Sequence, residues 1–308
     1  MTITDMNTTD GATTCAQPTR EDEGVATGQE QSRLDSVEAG IKLLALDLDG
    51  TILDDHFHIS MRVLDELRKA EQKGVRVTIA TGRPVEVTRP FVQAVRVNAP
   101  AICLQGGLIY DFETERTLHE LTLPHELGCE LIALERQHRA LQAVTYAAGA
   151  LYVSSIRYDR SFYGGLLGTS LQVREDPCLA LDGHDPQKVL FIVPPEDAEH
   201  ALGVLRALVA ARATVVQSHA WFVEVNPRGA EKGAGLARLA QDLGIARGQV
   251  MAIGDQDNDA SMVAWAGIGV AMGNGSAACK TVANWIAPPI DQDGAAVAIE
   301  RFILSRKT

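Results

Sequence analysis

Ile41-Lys42-Leu43-Leu44-Ala45-Leu46-Asp47-Leu48-Asp49-Gly50-Thr51 decides how the rest of the chain is read. Its first half is an apolar run short enough for a strand buried on both faces of a parallel sheet. Its end carries two carboxylates one residue apart. On a strand, side chains at i and i+2 share a face, so Asp47 and Asp49 crowd each other where the strand leaves the sheet. Like charges that close repel and raise one pKa unless positive charge lies between them, and a divalent cation supplies it. The C-terminal edge of a parallel sheet is also where open α/β folds bind ligands. An ordinary turn accounts for Asp49-Gly50. It does not account for Asp47, directly behind an apolar run, because acids are seldom buried unpaired.

Working outward, the chain has 308 residues, enough for one large or two medium domains, and 46% hydrophobic with 22% charged residues is a globular composition. No run approaches the ~18 apolar residues of a membrane helix. The start of the chain lacks the basic-then-apolar pattern of a secretory signal. Cys15, Cys103, Cys129, Cys178 and Cys279 are scattered and form no CxxC pair, which predicts reduced thiols in a cytoplasmic protein rather than a disulfide framework or a zinc site. A net charge of -12 disfavours nucleic-acid binding. Residues 1–40 hold eight acids against Arg20 and Arg33 and have no apolar period; they read as a disordered acidic tail.

After the Asp pair, Ser60 reads as an N-cap, Val63, Leu64, Leu67 and Ala70 follow helical spacing, and Gly74 sits where the helix should stop. A strand over 75–80 runs into Thr81-Gly82-Arg83-Pro84, with Pro84 suited to a first helical turn, and 101–104 is a third apolar strand. This alternation predicts an α/β fold with a doubly wound parallel sheet. The pattern then changes. Runs at 108–110 and 117–119 suggest a hairpin. Over 121–225, two helical stretches (124–138 and 195–211) lie among strand-like runs at 141–146, 151–155, 188–193, 214–218 and 221–225, which predicts a separate α+β layer inserted into the first domain. The Gly- and aromatic-rich stretch 161–169 reads equally as a loop beside the substrate or as a linker. Alternating α/β resumes near Lys232. A helix ends at Gly244, a strand over 249–253 enters Gly254-Asp255, and a helix from Asp257, strands at 267–271 and near Trp285, and a last helix over 294–304 follow.

Gly254-Asp255-Gln256-Asp257-Asn258-Asp259 is a second acidic cluster behind an apolar strand. A calcium loop would need Gly and Glu where the chain has Ala260 and Ala266, which excludes that reading. Helix capping explains one of these residues and not all of them. If the strand lies beside the first, Asp255 faces Asp47 and Asp49 across the sheet end, and such an oxygen set suits Mg²⁺. Thr81-Gly82-Arg83, between a strand end and a helix start, offers a hydroxyl, backbone N–H groups and a helix dipole to an anion, although Thr81 could simply cap the helix. Lys232 falls in the first turn of its helix, where a cation opposes the dipole at a cost of ~0.3–1 kcal/mol. A phosphate between it and a metal would reverse that preference; the plain alternative is a solvated surface lysine. Gly267-Ile268-Gly269 lacks the third glycine of a dinucleotide fingerprint, and Gly273-Asn274-Gly275 lacks the rest of a phosphate loop. His56, His58 and His119 form no ligand cluster and read as surface groups, with His56 and His58 near enough to the Asp pair to touch substrate.

Asp47-Leu48-Asp49-Gly50-Thr51, Thr81-Gly82-Arg83, Lys232-Gly233 and Gly254-Asp255 through Asn258-Asp259, in that order, resemble the four motifs of the haloacid dehalogenase superfamily, and the large insert between the second and third resembles its Cof-type branch with a type IIB α/β cap. The resemblance implies a Rossmann-like catalytic core over 41–118 and 229–308 and a specificity cap over 119–228. It implies a Mg²⁺-dependent phosphatase acting on small phosphomonoesters, sugar phosphates or phosphorylated metabolites, with no nucleic-acid or membrane partner. Asp47 would be the nucleophile that forms an aspartyl phosphate, and Asp49 the acid and base. Mg²⁺ would be held by Asp47, the backbone carbonyl of Asp49 and Asp255. Thr81, Gly82 and Lys232 would bind the phosphoryl group, with Thr51, Asn258 and Asp259 in support and Asp259 orienting Lys232. Specificity would lie in the cap, in 161–169 and around 221–224. One departure stands out: Gln105-Gly106-Gly107 occupies a segment where this branch carries Asn-Gly, which puts the usual contact there in question. A phosphomutase using the same acyl phosphate, or a non-catalytic sugar-phosphate binder, would share most of this pattern, although a pure binder has little use for Asp49.

Overall fold

The structure, a computed structural model, describes residues 40–159, 162–163 and 171–305. The expected acidic tail and most of 161–169 lie outside the described residues. Strand β1 (Leu43–Leu46) enters the loop bearing Asp47 and Asp49. Helix α1 (Met61–Gln72) starts where the sequence predicts: the Ser60 hydroxyl accepts from Val63 N–H at 3.1 Å. It stops before Gly74, which takes φ +81°. Then come β2 (Arg76–Ile79), α2 (Val85–Val95), β3 (Ala101–Cys103) and the hairpin β4 (Leu108–Asp111) and β5 (Arg116–Glu120). The inserted layer runs α3 (His125–Gln137), β6 (Gln142–Ala147), β7 (Ala150–Val153), β8 (Leu171–Val173), α4 (Pro177–Ala180), β9 (Lys188–Ile192), α5 (Ala198–Val209), β10 (Ala213–His219) and β11 (Phe222–Pro227). The chain closes with α6 (Lys232–Asp242), β12 (Val250–Gly254), α7 (Ala260–Trp265), β13 (Ile268–Ala271), α8 (Ala277–Val282), β14 (Trp285–Ile286) and α9 (Gly294–Ile299), which continues as a wider helical turn over Glu300–Leu304.

The core sheet has the order β14-β13-β12-β1-β2, and every neighbouring pair is parallel. The register Leu46↔Ile253 puts the ends of β1 and β12 side by side, and that alignment brings the two acidic segments together. β1 is buried on both faces, as its unbroken apolar run requires. β3 differs from the expectation. It meets the core sheet through a single parallel bridge, Ala80↔Ile102, and otherwise pairs antiparallel with β4. Leu104 and Gln105 directly after it take positive φ and turn the chain into the hairpin.

The second sheet, of order β10-β11-β9-β6-β7-β8, is antiparallel except for its last pair. β8 and α4 had no sequence signal; three residues of strand and four of helix are too short to show a period. On β9 and β11 the side chains alternate. Val189, Phe191, Val223 and Val225 pack with Leu131 of α3 and Leu205 of α5. The alternate positions, Lys188, Leu190, Phe222 and Glu224, occupy the other face, and all four are buried or nearly so. Two buried charges on one sheet face are unusual. Among the described residues no helix is long and apolar enough to cross a membrane.

The cysteines depart from the sequence reading. Cys129 of α3 and Cys178 of α4 form a disulfide with Cα atoms 5.1 Å apart, while Cys103 and Cys279 are free and buried. The partners are 49 residues apart, a spacing that becomes meaningful only when α4 docks on α3. Peptide mapping without reductant is expected to recover Cys129 linked to Cys178. Ser60→Ala removes the α1 cap and should lower stability by about 1 kcal/mol in urea denaturation.

Candidate active site

Asp47 continues the β1 pairing, its N–H donating to Ile253 C=O at 3.0 Å. The chain then folds over itself: Leu48 C=O accepts from the N–H groups of Thr51, Ile52 and Leu53. Gly50 makes this possible with φ +83°, and a Cβ there would run into the Asp255 carboxylate. Asn274 also holds the turn, donating to Gly50 C=O at 2.8 Å and accepting from Ile290 N–H at 2.9 Å. The Gly273-Asn274-Gly275 stretch, which fails as a phosphate loop, thus clamps the turn that carries Asp49.

Asp47, Asp255 and Asp259 are all buried and offer carboxylate oxygens within 4.8 Å of one another. Lys232, 1% exposed, lies among them and donates to Asp47 Oδ1 at 2.6 Å and Asp259 Oδ1 at 2.5 Å. Burial by itself would lower the Lys232 pKa, but the charges of Asp259 and Asp47 outweigh it and hold the lysine protonated. Burial, then Asp259, push the Asp47 carboxyl well above the usual carboxylate range, against the pull of Lys232. Burial and Asp259 likewise raise Asp255. One cation among three buried acids leaves negative charge uncompensated.

Asp259 is saturated: Oδ1 takes Lys232 and Oδ2 takes the N–H groups of Asp255 and Gln256, each at 2.9 Å. Asp255 accepts from Thr51 Oγ1 at 2.9 Å and from Gln256 Nε2 at 2.7 Å. The available donors are hard oxygens on Asp47 and Asp255 beside a surplus of negative charge, which fits Mg²⁺.

Asp49 stands apart from this cluster. Its side chain is half exposed and is gripped by Arg83, whose Nε and Nη2 donate to the two carboxylate oxygens at 2.8 and 2.6 Å. Thr81 is buried and its hydroxyl accepts from Arg83 N–H at 3.2 Å. A Cβ at Gly82 would lie 2.5 Å from Gln105 Nε2, so the Gln105 amide packs directly over this glycine. Gln105, held at φ +59°, accepts from Asn258 Nδ2 at 3.0 Å. The departure at position 105 therefore ties the Thr81-Gly82 loop to the second acidic segment.

A cavity of about 370 Å³ is bordered by Asp47, Asp49, Thr81, Gly82, Lys232 and Asn258. Thr51, Asp255 and Asp259 stand behind these residues or beside them. The second sheet adds Tyr146, Lys188 and Glu224 to the lining of the cavity. Of these, the sequence reading reached only the neighbourhood of Glu224; a charged residue alternating with apolar ones in 188–192 was the available signal. Arg83 was quoted without its partnership with Asp49. His56 and His58 are exposed; their backbone N–H groups donate to Asp54 at 2.9 and 2.8 Å, and their side chains border a neighbouring cavity.

The family model described as haloacid dehalogenase-like hydrolase matches residues 44–299. The 5-amino-6-(5-phospho-D-ribitylamino)uracil phosphatase YcsE of Bacillus subtilis is 30% identical over 268 residues, covering 87% of this chain and 98% of the relative. The pyridoxal phosphate phosphatase YbhA of Escherichia coli is 27% identical, with 86% of this chain and 98% of the relative covered. Among solved structures, a haloacid dehalogenase-like hydrolase from Bacteroides thetaiotaomicron superposes with a TM-score of 0.77 at 30% identity, covering 85% of this chain and 99% of that one.

Lys232→Met leaves Asp47 and Asp259 buried without their counter-charge, which should cost about 3–5 kcal/mol at neutral pH. A raised carboxyl pKa in the folded state makes ionisation, and hence rising pH, destabilising. The deficit of the variant is therefore expected to shrink as pH falls from 7 towards 5, measured by urea denaturation in EDTA.

Proposed function

The chain belongs to the haloacid dehalogenase-like hydrolases and is a phosphoric monoester hydrolase, and from that premise we propose that it hydrolyses small phosphomonoesters through an aspartyl phosphate on Asp47. The observation that carries this reading is the buried Asp47 carboxylate held by Lys232, with the acid Asp49 on the same cavity. In the first step an Asp47 oxygen bonds to phosphorus, the bond to the ester oxygen breaks, and Asp49 gives that oxygen its proton. In the second, Asp49 takes a proton from water, the water oxygen bonds to phosphorus, and the acyl phosphate bond breaks, which frees Asp47 and inorganic phosphate.

Asp49 is suited to this exchange because it is half exposed and can pass protons to the ester and to water. The Arg83 fork fixes its orientation. Lys232, Thr81 and the Gly82 backbone N–H would hold the phosphoryl oxygens, where preorganised donors act most strongly out of water. Asp259 orients Lys232, and Thr51 and Gln256 orient Asp255. Mg²⁺ would be held by Asp47, the Asp49 backbone carbonyl and Asp255, and when bound it neutralises the phosphate and polarises it for attack. Asn258 supports the site through Gln105.

We place the cap at 119–228, between the end of β5 and the start of α6, with the core over 41–118 and 229–308. The cap then covers substrate and keeps bulk water from the acyl phosphate. The reading keeps the enzyme in the cytoplasm, where phosphorylated metabolites are made. A net charge of -12 argues against a nucleic-acid substrate, and the small cavity against a macromolecular one.

Asp47→Asn is expected to abolish phosphate release while the thermal unfolding profile is retained; release at the wild-type rate would refute the assignment. Asp49→Asn should lower kcat on alkyl phosphates by about 10²–10⁴-fold, and by less on p-nitrophenyl phosphate, whose leaving group departs without a proton. EDTA should stop turnover and added Mg²⁺ restore it.

A further inference from the structure

The cap contributes two buried charges to the cavity, and they are bonded unequally. Lys188, 2% exposed, projects from β9, and Glu224, 4% exposed, from β11. Glu224 pairs across the sheet with Leu190, two residues along from Lys188, so both charges share one sheet face. Their closest atoms, Lys188 Nζ and Glu224 Oε1, are 3.2 Å apart.

The lysine is fully engaged. Besides Glu224 it donates to the core carbonyl of Gly82 at 3.3 Å and lies 4.7 Å from the centre of the Tyr146 ring. Glu224 is engaged on one side only. Its Oε1 takes Lys188 and the Ser218 hydroxyl at 2.8 Å, whereas Oε2 is buried with no hydrogen-bond partner. Proteins seldom leave a buried carboxylate oxygen unsatisfied, and the cost of doing so is high. Glu224 lines the cavity that holds Asp47 and Asp49, as do Leu190 and Phe222.

Resting on the phosphatase reading above, we propose that Glu224 is the specificity determinant for the leaving group, its free Oε2 accepting a hydrogen bond from a hydroxyl of a neutral polyol or sugar phosphate. An acceptor-only group needs a donor from the ligand. Lys188 cannot serve a second anion, because Glu224 already neutralises it. A carboxylate or a second phosphate on the leaving group would therefore meet the Glu224 charge in a dry site, where like charges repel strongly. Leu190 and Phe222 give the C–H face of such a carbon chain an apolar wall. The Lys188 bond to Gly82 couples this subsite to the loop that receives the phosphate.

The test compares kcat/KM for phosphate release by the full chain with Mg²⁺ on sorbitol 6-phosphate and on 3-phosphoglycerate, with p-nitrophenyl phosphate reporting whether the chemistry survives. Wild type should prefer the sorbitol ester. In Glu224→Gln, which keeps the shape and removes the charge, the sorbitol-to-glycerate ratio should fall about tenfold or more, partly because the released Lys188 now attracts the carboxylate. In Lys188→Met/Glu224→Gln the ratio should also fall, because the sorbitol hydroxyl loses its charged acceptor and the glycerate carboxylate no longer meets the Glu224 charge. The double variant has no unpaired buried charge and carries the comparison if the single one fails to fold. A ratio unchanged while p-nitrophenyl phosphate is still hydrolysed overturns the role of Glu224 and leaves the phosphatase reading standing. No release from any ester by wild type with Mg²⁺ overturns both.

Discussion

The rest of the site depends on one buried ammonium group, Lys232, shared between Asp47 and Asp259. Taking three carboxylates out of water is costly, and one lysine compensates only part of it. The protein accommodates the remainder with short neutral donors: Thr51 and Gln256 on Asp255, and the N–H groups of Asp255 and Gln256 on Asp259. These bonds saturate Asp259, which becomes scaffolding for Lys232. Asp47 accepts from Lys232 through Oδ1 and keeps unspent capacity, which the proposed attack on phosphorus would use. The glycine at 50 follows from the same crowding, because the turn needs φ +83° there and a Cβ would strike the Asp255 carboxylate.

The two acids of the first motif are neighbours in sequence and live in different environments. Asp47 is buried, with its carboxyl pushed up by burial and by Asp259. Asp49, two residues on, sits half in water under the Arg83 fork. Leu48 separates them by closing the turn through its carbonyl. In the mechanism we propose, the nucleophile needs the dry, fixed position and the proton carrier needs access to water, and this one tight turn provides both environments. The second sheet repeats this economy on a strand face, where alternation places Lys188 and Glu224 at the cavity and their neighbours in the helix-packed layer.

Much of the core was legible because its elements have strong local signals. The Ser60 cap, the uninterrupted apolar β1 and the strand-to-acid junction at Asp255 each need only neighbouring residues to be recognised, and each stands where it was expected. The misses have a common cause. β3 was expected as a full parallel strand, but the positive φ at Leu104 and Gln105 turns it into the hairpin. β8 and α4 are too short to carry a period. Cys129 and Cys178 look unrelated until α4 lies against α3. Gln105 could be seen as a departure but not as a link to Asn258.

The order of residues alone determined that two acidic segments follow buried strands, that a lysine opens a helix where a cation is unfavourable, and that an α+β layer interrupts the core. Those are local properties of polarity, period and turn chemistry. Tertiary structure alone decided which oxygens converge, that Arg83 takes Asp49 and Lys232 takes Asp47, and that Glu224 reaches the cavity with one oxygen unbonded. The reason is that pairing of charges depends on distances of a few ångströms between residues far apart in the chain, 185 positions for Lys232 and Asp47, and packing of the elements sets those distances.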